Sequence, residues 1–169
     1  TTRYNVGQIK EIISLETSPL ITNSLLFGYY AGNGDNEQIE TIFKSIGHDC
    51  GYIFQVMNDL EPFCQQEKLS THKGKLNTDV SRSKKNIAVA LMYGLLSNKE
   101  KEALISAPSS EALNNLLITF FTYYDVEASF MREVDYIHAN ILEQIDNLYS
   151  LGIDKTWCQL FKYFINYLV

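Results

Sequence analysis

The segment from about residue 36 to Cys64 or Gln66 restricts the fold more than any other. Ile39, Ile42, Phe43, Ile46, Ile53, Val56, Met57 and Leu60 recur at three- and four-residue steps. That is the period of a long amphipathic helix. Asp35-x-x-Gln38 has the form of a capping box that starts it, and Pro62 should bend or end its last turn because it lacks an N–H. Gln55, Asp59 and Pro62 fall at i, i+4 and i+7, one above the other, with Asn58 beside them. An amide and a carboxylate on a mostly apolar helix are oxygen donors of the kind a hard cation such as magnesium takes. The same residues equally describe the solvent-facing edge of an ordinary amphipathic helix.

The rest of the chain repeats the helical period. Val6 to about Ala31 carries Ile9, Ile12, Ile13, Leu20, Ile21, Leu25 and Leu26, with a kink or restart expected at Pro19. Gly32-Asn33-Gly34-Asp35 reads as a turn. Residues 67–79 read as a polar loop, and Lys73, Lys75, Arg82, Lys84 and Lys85 make this region the most basic of the chain. Either it is a solvated loop, or it holds a diphosphate. Ile87 to Leu96 is apolar on most sides and should be buried. Ser97-x-x-Glu100 is a capping box for a short helix ending before Pro108. Ser109 or Ser110 caps the next helix, through about Tyr124. A further helix runs from about Val126 to Tyr149, with Phe130, Val134, Ile137, Ile141, Ile145 and Leu148 on one side and Gly152 at its end. Ile153 to Leu168 closes the chain with Trp157, Leu160, Phe161, Phe164, Ile165 and Leu168 as its apolar face. No strand-like alternation, repeat or linker interrupts this series, so the fold class is all-α.

A chain of 169 residues fits one domain, and 46% hydrophobic with 20% charged residues is a globular composition. A net charge of −6 argues against a nucleic-acid surface, which needs clustered cations. Cys50, Cys64 and Cys158 have no metal-site spacing and read as buried thiols of a reducing compartment. No apolar run approaches the length of a membrane span, and no signal peptide is recognisable, so a cytoplasmic location is expected. Eleven Tyr, nine Phe and Trp157 supply either a core or the lining of an apolar pocket.

Gly51-x-x-Phe54-Gln55-x-x-Asn58-Asp59-x-x-Pro62 resembles the second aspartate-rich motif of the trans-prenyltransferases, the polyprenyl diphosphate synthase family. Its form there is Gly-x-x-Phe-Gln-x-x-Asp-Asp-x-x-Asp. Asn58 and Pro62 replace two of its aspartates. Upstream, Leu15-Glu16-Thr17-Ser18-Pro19-Leu20 is similar to the family's Lys-Thr-x-x-Leu segment, keeping Thr17 and Leu20. Glu16 stands where a diphosphate-binding Lys belongs, and an acid there repels phosphate. Downstream, Gly74-Lys75, Asp79 and Lys84 follow the family's basic loop in order, without its Thr and Pro. Among relatives, the bacterial enzymes that prenylate a tryptophan of a competence pheromone also have eroded second motifs.

The resemblance covers about Tyr4 to Leu96 and implies an isoprenoid-synthase-type helical bundle. The chain corresponds to the C-terminal half of that bundle. Residues 1–169 then form a single all-helical domain or half-domain, lacking the N-terminal half with the first aspartate-rich motif. The implied activity is transfer of a prenyl group from an allylic isoprenyl diphosphate, with magnesium assisting departure of the diphosphate. Asp59 and Gln55 are then the catalytic candidates, and Asp59, Asn58 and Glu61 the metal ligands. Thr17, Lys75 and Lys84 bind the diphosphate, and Phe54 lines the pocket. The implied partners are the isoprenyl diphosphate and an N-terminal half, a partner subunit or a second copy. Two alternatives stay open: a degenerate, non-catalytic subunit that pairs with an active prenyltransferase, and an unrelated helical binding module.

Overall fold

The computed structural model describes residues 4–64 and 85–168. Among these residues every element is a helix, as the periodicity requires. In order they are α1 (Val6–Glu16), α2 (Ser18–Ala31), α3 (Glu37–Cys64), α4 (Ile87–Leu95), α5 (Asn98–Ile105), α6 (Ser110–Tyr123), α7 (Val126–Ser150) and α8 (Lys155–Tyr167). No helix of the described residues is long and apolar enough to cross a membrane. Lys75 and Lys84, and the loop that contains them, lie outside the described residues.

The helix ends follow local chemistry. The Ser97 hydroxyl accepts from Glu100 N–H at 3.4 Å while the Glu100 carboxylate accepts from Ser97 N–H at 2.8 Å, which is a complete capping box for α5. Ser109, rather than Ser110, caps α6, through an acceptor bond from Ala112 N–H at 3.1 Å. Gly152 has φ +98°, and Ile153 N–H reaches back to the Leu148 carbonyl at 3.1 Å, the Schellman closure that lets α7 stop there. At Pro19 the helix restarts rather than kinks. The chain breaks at Thr17, and the proline occupies the first turn of α2, where no N–H is needed. The start of α3 differs from the expected box at Asp35: the Asn36 side chain accepts from Gln38 N–H at 2.9 Å and from Ile39 N–H at 3.3 Å. Tyr29 fixes that choice, because its hydroxyl accepts from Asn36 N–H at 2.8 Å. The Tyr29 ring also lies over Gly34, where an added Cβ would sit 2.3 Å from it, so only glycine fits.

Two compact units make up the fold, with the boundary falling inside α1, α3 and α7. The first comprises Thr1–Lys10 with Val56–Met131, the second Glu11–Gln55 with Arg132–Val169. In the first, Val56, Leu60 and Phe63 of α3 are buried, as are Ile87, Ala88 and Met92 of α4. Phe63 stacks on Phe121 of α6 with ring centroids 4.6 Å apart. In the second, Ile39, Phe43, Ile46 and Ile53 of α3 are buried, together with Val134, Ile141, Ile145 and Leu148 of α7 and Cys158 and Ile165 of α8.

Apolar patterning alone misassigns the inward faces of α2 and α8. Leu20 is 72% exposed, whereas Ser18 is buried. The cause is a close helix crossing in the second unit. A Cβ on Gly51 would lie 2.6 Å from Ser18 Cα, and one on Gly47 would lie 2.5 Å from Thr22 Cα. Two glycines one turn apart let the α2 backbone approach α3, so its small residues face inward. The Ser18 hydroxyl uses that proximity to donate to the His48 carbonyl at 3.0 Å. On α8, Leu160 and Phe164 of the expected core face are 65% and 55% exposed. Cys64, expected to be buried, is also exposed, while Cys50 and Cys158 are buried.

Candidate functional site

The residues singled out by the motif resemblance are divided between the two units. In the second unit the structure brings Thr17 and Gln55 together: the Thr17 hydroxyl donates to Gln55 Oε1 at 3.3 Å. These residues are 38 positions apart. Thr17 is the single residue between α1 and α2, and the glycine-mediated crossing at Ser18 and Gly51 sets it beside α3. One turn before Gln55, Tyr52 is buried and its hydroxyl donates to Glu133 Oε2 at 2.8 Å. Burial, and then that hydrogen bond, push the Tyr52 phenol well above the ordinary tyrosine range. Phe54, the expected pocket residue, is 52% exposed. Glu16 ends α1 and is exposed.

In the first unit Asp59 is buried, and its role is explicit. Oδ2 accepts from Ile87 N–H at 2.7 Å, while Asn86 Nδ2 donates to the Asp59 carbonyl at 3.1 Å. Asn86 Oδ1 in turn accepts from Val89 N–H at 2.9 Å. Together the two side chains satisfy backbone N–H groups in the first turn of α4, where the helix dipole also favours a negative charge. Asn58 and Glu61 are exposed. Pro62 sits within the last turn of α3, which continues to Cys64.

Asp59 Oδ2 is engaged by the Ile87 N–H, while Asn58 and Glu61, the other two oxygen donors of the expected set, are exposed. Among the described residues no group of three or more His, Cys, Asp or Glu side chains is placed to hold a metal.

The second unit also contains an open groove of about 460 Å³, unmarked by any sequence motif. Ser24, Leu25, Gly28, Tyr29 and Gly32 line one side, and Phe43, Ile153, Asp154 and Trp157 the other. Its aromatic wall is continuous: Tyr29 and Phe43 have ring centroids 5.5 Å apart, and Trp157 meets Phe43 edge-on at 5.7 Å. Ser24 and Gly28 on α2 and Gly32 at its C-cap recur every four residues, and that spacing is the available signal. Its significance appears only once α8 is seen opposite. The Cys50 thiol is pushed up to about 12, chiefly by burial.

No protein-family model, no curated protein and no solved structure matches this chain.

Proposed function

We propose that the chain is part of a prenyltransferase of the isoprenoid-synthase type, acting on allylic isoprenyl diphosphates. In this reading it contributes a wall of the bundle and positioning residues. The acidic cluster that binds magnesium comes mainly from another segment or subunit. The observation that carries the reading is the hydrogen bond between Thr17 and Gln55. Each is a polar residue retained from one of the two motifs that the resemblance brings to one diphosphate site, and here they meet. Gly51, the motif glycine, has a steric reason for its identity in the same crossing. Magnesium would supply charge neutralisation of the departing diphosphate. This chain would hold the Gln55 amide in one orientation through Thr17.

Three observations favour a second reading. Asp59 is committed to capping α4, Glu16 replaces a cation, and Asn58 replaces a carboxylate. A chain so altered suits a non-catalytic subunit that completes an active partner's pocket.

The test is calorimetric titration of the full-length natural product containing this chain, together with any stable partner subunit, with geranyl diphosphate and magnesium chloride. Saturable binding that weakens about tenfold in Gln55→Ala, a loss of about 1.4 kcal/mol, is expected. Wild-type binding without pyrophosphate release once isopentenyl diphosphate is added as acceptor selects the non-catalytic reading. No saturable heat with the wild-type protein overturns both.

A further inference from the structure

Helix α8 is apolar over most of its circumference, yet the fold covers only part of it. At 100° per residue, Cys158, Phe161, Ile165 and Leu168 form one arc. Of these, Cys158 and Ile165 are buried. Lys155, Gln159, Lys162 and Asn166 form a narrow polar arc, and Lys162 is tied to Asp146 at 2.6 Å. The remaining arc holds Thr156, Trp157, Leu160, Tyr163, Phe164 and Tyr167. Its large side chains are exposed: Trp157 by 36%, Leu160 by 65%, Phe164 by 55% and Tyr167 by 81%. Trp157, Leu160, Phe164 and Tyr167 follow the alternating three- and four-residue spacing of a helix-pairing seam. The arc contains no charged residue.

From this geometry we infer that the face is a homodimer interface, in which α8 pairs antiparallel with α8 of a second copy. The order of the seam is its own complement. With a two-fold axis opposite residue 162, Leu160 meets the partner's Phe164 and Trp157 meets the partner's Tyr167. An isologous contact requires such reciprocity. Trp157 also lines the groove with Tyr29 and Phe43. The partner's Tyr167 therefore arrives at the groove mouth, as an aromatic anchor entering a preformed depression.

The area agrees with this occupant. At about 150–250 Å² for each large aromatic side chain, the exposed fractions along α8 leave ~600 Å² of apolar side-chain surface. Over two copies that is ~1,200 Å², the lower end of the range for a specific interface. A membrane surface fits less well. Interfacial helices rely on cations along the polar face to meet anionic lipids, whereas on the polar face of α8 Lys162 is neutralised by Asp146 and the chain carries a net charge of −6. The inference rests on the α8 surface alone and is independent of the diphosphate chemistry.

Sedimentation equilibrium over a hundredfold concentration range tests it. The expected result is a monomer–dimer equilibrium that Leu160→Asp and Phe164→Asp each shift to monomer, with helical circular dichroism unchanged. Tyr136→Asp, on α7 and away from the seam, should leave the dimer intact. Orientation is read by oxidising a mixture of Leu160→Cys and Phe164→Cys chains, each also Cys64→Ser. Antiparallel pairing gives mainly the mixed disulfide. A monomer at all concentrations, polydisperse aggregate, or a dimer indifferent to both aspartates overturns the inference. So does binding to anionic vesicles that the same substitutions abolish while the chain remains monomeric.

Discussion

Replacing Asp59 by alanine separates a structural carboxylate from a metal ligand. The structure sets the size of the effect. Asp59 Oδ2 accepts from Ile87 N–H at 2.7 Å, and both residues are buried. A hydrogen bond to a charged group contributes about 1.5–3 kcal/mol, and the N–H left behind has no water to turn to. A negative charge at the start of α4 adds about 0.3–1 kcal/mol. Removing a buried charge offsets part of this sum, so a net loss of about 1–3 kcal/mol is expected. With a urea slope of about 2 kcal/mol/M, the unfolding midpoint should fall by ~0.5–1.5 M. Asp59→Asn keeps an acceptor oxygen and should lose roughly half as much. Asn58→Ala and Glu61→Ala change exposed residues and should stay within about 0.5 kcal/mol of wild type. The assay is urea unfolding followed by circular dichroism, with and without magnesium chloride. If Asp59→Ala unfolds no earlier than Asn58→Ala, the cap is not holding α4 and the reasoning fails. A magnesium-dependent rise in midpoint confined to wild type would show instead that the carboxylate ligates the metal.

Gly51→Ala should destabilise the second unit by about 1–3 kcal/mol, because the new Cβ meets backbone rather than a movable side-chain end. Comparing its urea midpoint with that of Gly28→Ala, where a Cβ meets nothing within 4 Å, checks this. The Tyr52 phenol is held above its ordinary value, so the folded state keeps that proton after the unfolded chain has released it. Its contribution is complete below about pH 10, the unfolded value, and is lost as pH rises further. Tyr52→Phe should accordingly flatten the alkaline limb of the stability profile and remove the last-titrating phenol from the ultraviolet titration. The Glu100 carboxylate is held low, first by the Ser97 hydroxyl and then by Ser97 N–H. Its contribution is present above the unfolded carboxylate value and is lost as pH falls. Ser97→Ala should therefore reduce the acid-side slope of the same profile.

Periodicity alone was enough for the all-helical class and for most helix ends. Those features depend on contacts three to five residues apart, which a linear pattern records. The capping box at Ser97, the glycine closure at Gly152 and the buried faces of α4 and α7 are of this kind. The motif stretch likewise showed which side chains could carry chemistry. Their partners depended on contacts between distant segments. Nothing in the local pattern shows that Ile87 N–H lies 2.7 Å from the Asp59 carboxylate. Thr17 and Gln55 share a hydrogen bond only because Gly47 and Gly51 admit α2 to the surface of α3. That same close approach turns the small residues of α2 inward and Leu20 and Phe27 outward, reversing the face that hydrophobicity alone assigns. The apolar stripe of α8 was legible as a stripe, but its exposure was not. Hydrophobic patterning shows that a face seeks cover, whereas the tertiary structure decides whether the same chain supplies it.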